Sequence, residues 1–104
     1  MSQSYLNLLG LAMRAGKCTL GEEAIVRDIQ KNRAKLVLIA EDTGKQTKKK
    51  LTDKCSFYHI PCYVVDDRET LSHAIGKAGR VAIAVLDQGF AKKLQSLLDE
   101  SIRG

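Results

Sequence analysis

The sequence predicts an α/β fold, a three-layer α/β/α sandwich with helices on both faces of a mixed sheet of about four strands. Two observations support this fold. Segments with the apolar spacing of amphipathic helices alternate with short extended segments, and two of the extended segments, Leu36–Ala40 and Val81–Leu86, are continuously apolar. A continuous apolar run is typical of a strand that is covered on both faces. The 104 residues are predicted to form one domain, residues 1–104.

Four elements are predicted in the first half of the chain. Apolar residues recur with helical spacing up to Arg14, and the pair Ala15–Gly16 ends this first helix. A second helix follows Gly21, and its first turn carries two glutamates, where negative charge stabilises a helix by about 0.3–1 kcal/mol each. In order, the elements are a helix over 3–14, a short edge strand Cys18–Leu20, a helix over Glu22–Lys31 and the central strand Leu36–Ala40.

In the second half of the chain, each predicted helix begins at a residue that suits a cap. Thr43 and Gln46 fit a capping box, and Asp66 and Asp87 precede the next two helices. Gly79 is predicted to end the fourth helix. In order, the elements are a helix ending near Tyr58, a strand Cys62–Val65, a helix with the buried stripe Leu71, Ala74, Ile75 and Ala78, a strand Val81–Leu86, and a helix that packs through Phe90, Leu94, Leu97 and Leu98.

The chain is basic, with 17 Lys and Arg against 12 Asp and Glu, a formal net charge of +5 and a pI of about 9.2. An acidic partner such as nucleic acid fits this charge, and so does an ordinary solvated basic surface. No secretory signal is expected, because Arg14 interrupts the first apolar run, and no run is long enough to span a bilayer. Three cysteines fit a reducing cytosol better than a disulfide framework, so we expect a cytoplasmic protein.

The sequence predicts neither a metal site nor a catalytic one. Cys55, His59 and Cys62 form a C-x3-H-x2-C pattern, but it spans a helix end and a proline and lacks a fourth ligand. Small buried thiols are common in protein cores. There is no nucleophile elbow, no metallopeptidase spacing and no phosphate-binding glycine loop after a strand. We therefore expect no metal, no cofactor and no enzymatic activity.

Two glycine-containing segments suit a close approach by a partner. Gly21 stands just before a helix, where a missing side chain leaves backbone N–H groups accessible. Gly76–Gly79 matches the G-x-x-G loop with which KH domains clamp a nucleic-acid backbone, and Lys77 and Arg80 suit phosphates. A KH loop joins two helices, whereas a strand is predicted after Gly79. A KH-like RNA binder remains an alternative, as does a protein-interaction or assembly module on the same surface.

Three sequence blocks, taken in order, resemble a known family. The first is Gly16–Lys17 followed by Gly21 at the start of a helix. The second is the run Ala34–Asp42, AKLVLIAED, which is the most specific of the three. The third is Leu71–Ala82, with Ala-Ile-Gly-Lys in its middle and Arg-Val-Ala at its end. Together they resemble the L7Ae/L30e family of kink-turn-binding ribosomal proteins, over most of the chain.

The resemblance implies a sandwich that binds a sharply bent RNA duplex containing sheared G·A pairs. In such proteins the helix after the Gly21 position enters an RNA groove, and the loop before the last strand, here Gly79–Val81, covers bases that are splayed out at the bend. Glu41, at the end of the central strand, lies nearby. The residues expected on this basis to contact RNA are Lys17, Gly21, Glu22, Glu23, Arg27, Glu41, Gly79, Arg80 and Val81.

The residues after Gly21 depart from the family pattern, in which small polar, basic or amide residues are usual. Glu22 and Glu23 can accept hydrogen bonds from guanine or cytosine amino groups but repel phosphate, and Ala24 has no hydrogen-bonding side chain. We expect nearby cations to offset the two acids. These cations are Arg14, Lys17, Arg27, Lys31 and Arg33.

The resemblance therefore predicts a protein without enzymatic activity that recognises kink-turns in structured RNA, ribosomal RNA among them. Nothing in the sequence demands a dimer, so we expect a monomer. The lysine run Lys48–Lys50 has two interpretations. It is either a solvated helix face or a surface that contacts phosphates without sequence preference.

Overall fold

The computed structural model describes residues 2–103, with the side chains of residues 5–100. Within this range, helices and strands follow in the predicted order, and the α/β fold is confirmed. The helices are α1 (Ser2–Arg14), α2 (Glu22–Gln30), α3 (Lys45–Tyr58), α4 (Arg68–Ile75) and α5 (Gln88–Arg103). The strands are β1 (Cys18–Leu20), β2 (Leu36–Ile39), β3 (Cys62–Val64) and β4 (Ala82–Val85).

The four strands form one mixed sheet in the order β1-β4-β2-β3. β4 is antiparallel to both of its neighbours, whereas β2 and β3 are parallel. β1 is therefore an edge strand, as the sequence predicts, and it is joined to the sheet through β4. In their register Cys18 pairs with Val85 and Leu20 pairs with Ile83.

The central strand β2 is buried on both faces because a separate layer of helices covers each face. Leu36 and Leu38 pack into a cluster with residues of α1, α4 and α5. Val37 and Ile39 point the other way and pack with residues of α2 and α3. β4 alternates between the same two clusters. This alternation explains why both strands are apolar without interruption.

Two of the predicted helix caps are wrong, because other parts of the chain take up the capping groups. The hydroxyl of Thr43 donates to backbone carbonyls, so α3 begins after Gly44 without a side-chain cap. The carboxylate of Asp66 accepts a hydrogen bond from the Tyr5 hydroxyl at 2.5 Å. Asp67 caps α4 in its place, by accepting from a backbone N–H in the first turn.

The end of α4 also differs from the prediction, whereas the start of α5 does not. α4 ends at Gly76, whose φ of 72° is left-handed, and not at Gly79. Ala78 is consequently exposed and not part of a buried stripe. Residues 76–81 form a connection that we call the 76–81 loop. Asp87 caps α5 as predicted, because it accepts from the backbone N–H of Phe90 at 2.9 Å.

α1 and α4 approach closely at Gly10. A Cβ atom at this position would lie 2.9 Å from the carbonyl oxygen of Ala74, closer than real contacts allow. Only a glycine therefore lets the two helices pack at this distance. No helix within residues 2–103 has the length and apolar character needed to cross a membrane.

Candidate functional site

Gly21 connects β1 to α2 in a conformation that suits glycine. Its φ of 94° and ψ of 131° are rarely adopted by other residues. Its carbonyl accepts from the N–H of Ile25 at 2.9 Å, which begins the helical hydrogen bonding of α2. A Cβ atom built on Gly21 would meet no atom within 4 Å. The backbone of Gly21 is thus open to a partner from outside the chain.

A small cleft lies between Gly21 and the end of the 76–81 loop. The antiparallel register of β1 and β4 carries Gly21 to a position opposite the start of β4. The cleft has a volume of about 90 Å³. We call it the Gly21 cleft, and its lining residues are Gly21, Glu22, Thr47, Gly79, Arg80, Val81 and Ala82.

The far wall of the cleft is fixed by two buried hydroxyl groups. The N–H of Arg80 donates to Ser72 Oγ at 2.9 Å, and Ser72 Oγ donates in turn to the Arg80 carbonyl at 3.1 Å. The carbonyl of Val81 accepts from the N–H of Ala40 at 2.8 Å and from Thr43 Oγ1 at 3.3 Å. Arg80 and Val81 are therefore held from both α4 and the end of β2, while the Arg80 side chain stays exposed.

Glu22, on the near wall, is held by α3. Its Oε1 accepts from the Thr47 hydroxyl at 2.8 Å, and its Oε2 lies 3.1 Å from Lys50 Nζ. The hydrogen bond from Thr47, followed by the one from Lys50, holds the pKa of Glu22 below its usual range. Glu23 points to the exposed side of α2, and the described side chains include no salt-bridge partner for it.

Glu41 belongs to the same end of the sheet. It follows Ala40, whose N–H bonds to Val81, so the turn after β2 lies beside the end of the 76–81 loop. The Glu41 backbone is fixed on both sides, because its N–H donates to the Asp66 carbonyl at 2.9 Å and its carbonyl accepts from Lys48 Nζ at 3.1 Å. Its side chain is exposed.

Lys17 and Arg27 lie farther from the cleft than the other predicted contact residues. The Lys17 carbonyl accepts from the N–H of Leu86, at the opposite end of the β1–β4 pair from Gly21. At about 3.3 Å per residue, the four residues from Lys17 to Gly21 span roughly 13 Å. Arg27 lies on the exposed side of α2, one turn after Glu23. The cation that neutralises Glu22 is Lys50 of α3, which is not among the cations expected from the sequence.

The residues that position the site are not predicted from the sequence, and they are Thr43, Thr47, Lys50 and Ser72. Thr47 and Lys50 look like ordinary residues of a polar helix, and Thr43 looks like a cap. Ser72 carries a weak signal in the sequence, because it directly follows Leu71 of the predicted buried stripe of α4. In the structure Ser72 is itself buried. Within residues 2–103, no three His, Cys, Asp or Glu side chains are grouped so that they could hold a metal ion.

Comparison with known proteins identifies relatives over most of the chain. RNA-binding protein YlxQ of Bacillus subtilis is 53% identical over 95 residues, which are 91% of this chain and 95% of the relative. RNA-binding protein YlxQ of Enterococcus faecium is 43% identical over 97 residues, which are 93% of each chain. A solved structure of a Bacillus halodurans protein with unknown function superposes with a TM-score of 0.89 and 49% identity, covering 91% of this chain and 96% of that one.

A family model gives the same result. The model of the ribosomal protein L7Ae/L30e/S12e/Gadd45 family matches residues 3–95, which include all residues that line the Gly21 cleft and the residues Thr43, Lys50 and Ser72 that anchor its walls. The match therefore covers far more than half of the chain. This protein belongs to the ribosomal protein L7Ae/L30e/S12e/Gadd45 family.

Proposed function

We propose that this protein binds structured RNA and recognises kink-turns, which are sharply bent duplexes with unpaired bases at the bend. The observation that carries the proposal is the open backbone of Gly21 opposite the anchored end of the 76–81 loop. Proteins recognise RNA mostly at irregular elements whose bases are unstacked, because the deep groove of a regular RNA duplex hides its base edges. A narrow cleft between two fixed backbone segments suits such an element.

The relatives support RNA as the partner. The two YlxQ proteins are named as RNA-binding proteins, and each aligns with more than nine tenths of this chain. In this proposal the protein is not an enzyme, acts as a monomer in the cytoplasm and associates with ribosomal RNA. Its net charge of +5 supplies the electrostatic attraction that RNA binding requires.

Each wall of the cleft has a distinct part in the proposed complex. On the near wall, the N–H groups of the first turn of α2 have no partner within the helix and face outward to hydrogen-bond RNA. Glu23, which lies outside the cleft on the exposed side of α2, accepts hydrogen bonds from base amino groups, whereas both carboxylate oxygens of Glu22 already contact α3. On the far wall, Val81 packs against an exposed base and Arg80 contacts phosphate.

The test compares a kink-turn RNA with a straight duplex of equal length and composition. Fluorescence anisotropy at several salt concentrations gives Kd for both RNAs. We expect tighter binding to the kink-turn RNA at every salt concentration, since shape-specific contacts add to the electrostatic attraction. Equal affinities that fall together with salt would reduce the protein to a general polycation and refute the proposal.

A further inference from the structure

Four cations gather at the end of the sheet that lies opposite the Gly21 cleft. Lys17 precedes β1, Lys31 and Arg33 lie in the turn after α2, and Lys35 precedes β2. Lys17, Lys31 and Arg33 are exposed, and Lys35 is half-buried. We call these four residues the basic pole.

Backbone hydrogen bonds hold the basic pole together. The Lys17 carbonyl accepts from Leu86 N–H at 2.8 Å, and the Lys35 N–H donates to the Val85 carbonyl at 2.8 Å. Lys17 and Lys35 therefore flank the end of β4, about 10 Å apart at the usual spacing between strands. Arg33 is fixed against α2, because its N–H donates to the Asp28 carbonyl at 2.8 Å.

The basic pole keeps a positive excess after its neighbouring acids are counted. The Asp28 carboxylate lies 3.8 Å from Arg33 and accepts from the Thr19 hydroxyl at 2.6 Å, and its side chain is only 13% exposed. Asp87 follows the end of β4 and is engaged in capping α5. Lys35 Nζ donates to the backbone carbonyl of Asn32 at 3.0 Å. Because a carbonyl has no net charge, this contact does not neutralise Lys35. The four positive side chains thus have two acidic neighbours. Asp28 partly neutralises Arg33, and Asp87 caps a helix.

The exposed side of α2 leads from the Gly21 cleft to the basic pole. Glu23, Arg27 and Lys31 are spaced four residues apart and are all exposed, so they form one row along the helix. Each step of four residues advances about 6 Å along an α-helix. The row therefore covers roughly 12 Å, which is on the order of the length of four base pairs of a duplex.

We propose that the basic pole binds backbone phosphates of the duplex arm that leads away from the RNA bend, with the arm lying along α2. This inference rests on the proposed function, because the cleft fixes where the arm begins. The cleft then supplies recognition of the bend, and the basic pole supplies affinity that depends on the length of the arm and on salt. An arm of about two base pairs stops short of the basic pole, whereas an arm of about ten base pairs passes it.

The experiment measures the salt dependence of Kd for two kink-turn hairpins, one with the short arm and one with the long arm. The double variant Lys17→Gln/Lys31→Gln is compared with wild-type protein and with the charge-matched control Lys92→Gln/Lys93→Gln. The control residues Lys92 and Lys93 are exposed on α5, and α5 covers the face of the sheet opposite to the one that α2 covers. Circular dichroism melting verifies that all three proteins are folded.

With the long arm, each lost phosphate contact is expected to make the slope of log Kd against log salt shallower by about 0.7–0.9, so the double variant loses about 1.5. With the short arm, the slope measured for the double variant is expected to equal the slope measured for the control variant. An equal loss of slope with both arms, or with the control variant, would overturn the inference. A wild-type protein that does not distinguish the short-arm kink-turn from a straight duplex would instead refute the proposed function.

Discussion

Replacement of Gly21 by alanine provides the most direct test of the cleft. The added methyl group would meet no atom of the chain, so it would not clash within the folded protein. Its cost to folding comes from the backbone, since a φ of 94° strains an alanine by about 1–3 kcal/mol. Most domains are stable by about 5–15 kcal/mol, and the variant is therefore expected to fold.

The effect of Gly21→Ala on RNA binding comes from the space that the methyl group occupies. The methyl group would project into open space beside the backbone, so it would stand between the Gly21 backbone and an RNA that approaches it closely. We expect binding of a kink-turn RNA to weaken by about 1–3 kcal/mol, which raises Kd by about 5- to 140-fold.

Gly16→Ala is the matched control for this measurement. Gly16 also has a positive φ, of 72°, and a Cβ atom there would also meet nothing within 4 Å. Both substitutions strain the backbone, but Gly16 lies before Lys17, at the end of β1 away from the cleft. Anisotropy titrations at fixed salt give Kd for both variants, and urea unfolding gives their stabilities. An equal rise of Kd in the two folded variants would remove Gly21 from the binding site.

Three further predictions concern positions around the cleft and the core. Ser72→Ala removes both hydrogen bonds to Arg80, so it is expected to lower the free energy of unfolding by about 1–3 kcal/mol and, because Arg80 and Val81 lose their anchor, to raise the Kd for a kink-turn RNA. Ser56→Ala, on the exposed side of α3, is its control, and equal Kd values for the two variants would contradict this role of Ser72. Gly10→Ala forces α1 away from α4 and is expected to lower the free energy of unfolding in urea by about 1–3 kcal/mol. An unchanged free energy of unfolding would show that the two helices can move apart without cost. Because Thr47 and Lys50 lower the pKa of Glu22, its carboxylate stabilises the fold above its ordinary pKa, and this contribution is lost as the pH falls through the lowered value. The stability difference between wild-type protein and Glu22→Gln is therefore expected to shrink from about pH 7 to about pH 3, and a constant difference would contradict the contact with α3.

The sheet and its helices could be predicted because their signals are local. Leu36–Ile39 is apolar at every position, and this pattern suffices to predict a strand covered on both faces. Gly21, between a short extended segment and a helix, is likewise visible in the local sequence, and β1 and α2 form on either side of it.

The caps of α3 and α4 could not be predicted, because competition for a polar group is not visible in the local sequence. In the local sequence Asp66 and Asp67 are equally suited to cap α4. The hydroxyl of Tyr5, 61 residues away, donates a hydrogen bond to the Asp66 carboxylate and thereby leaves Asp67 as the cap. The Thr43 hydroxyl donates to the carbonyl of Ala40 at 2.7 Å, within its own turn, and at 3.3 Å to the carbonyl of Val81, 38 residues away. A distant partner thus engages Asp66, whereas a local turn and a distant strand together engage Thr43.

The distribution of charge around the site also depended on tertiary structure. Lys17 is only four residues from Gly21, but an extended strand separates them by the length of the sheet. Lys50 is far from Glu22 in sequence, yet the packing of α3 beside α2 brings their charged groups to 3.1 Å. Nearness along the chain was thus a poor guide to which cation neutralises which acid.

The uneven anchoring of the 76–81 loop limits how its length can change in evolution. Arg80 and Val81 are tied to Ser72, Ala40 and Thr43. Lys77 and Ala78 are exposed and carry no such side-chain tie. An insertion after Lys77 would therefore enlarge a protruding tip and leave the wall of the cleft intact. An insertion after Arg80 would move Val81 out of register with β2, so homologues should vary in length at the tip and not at the base.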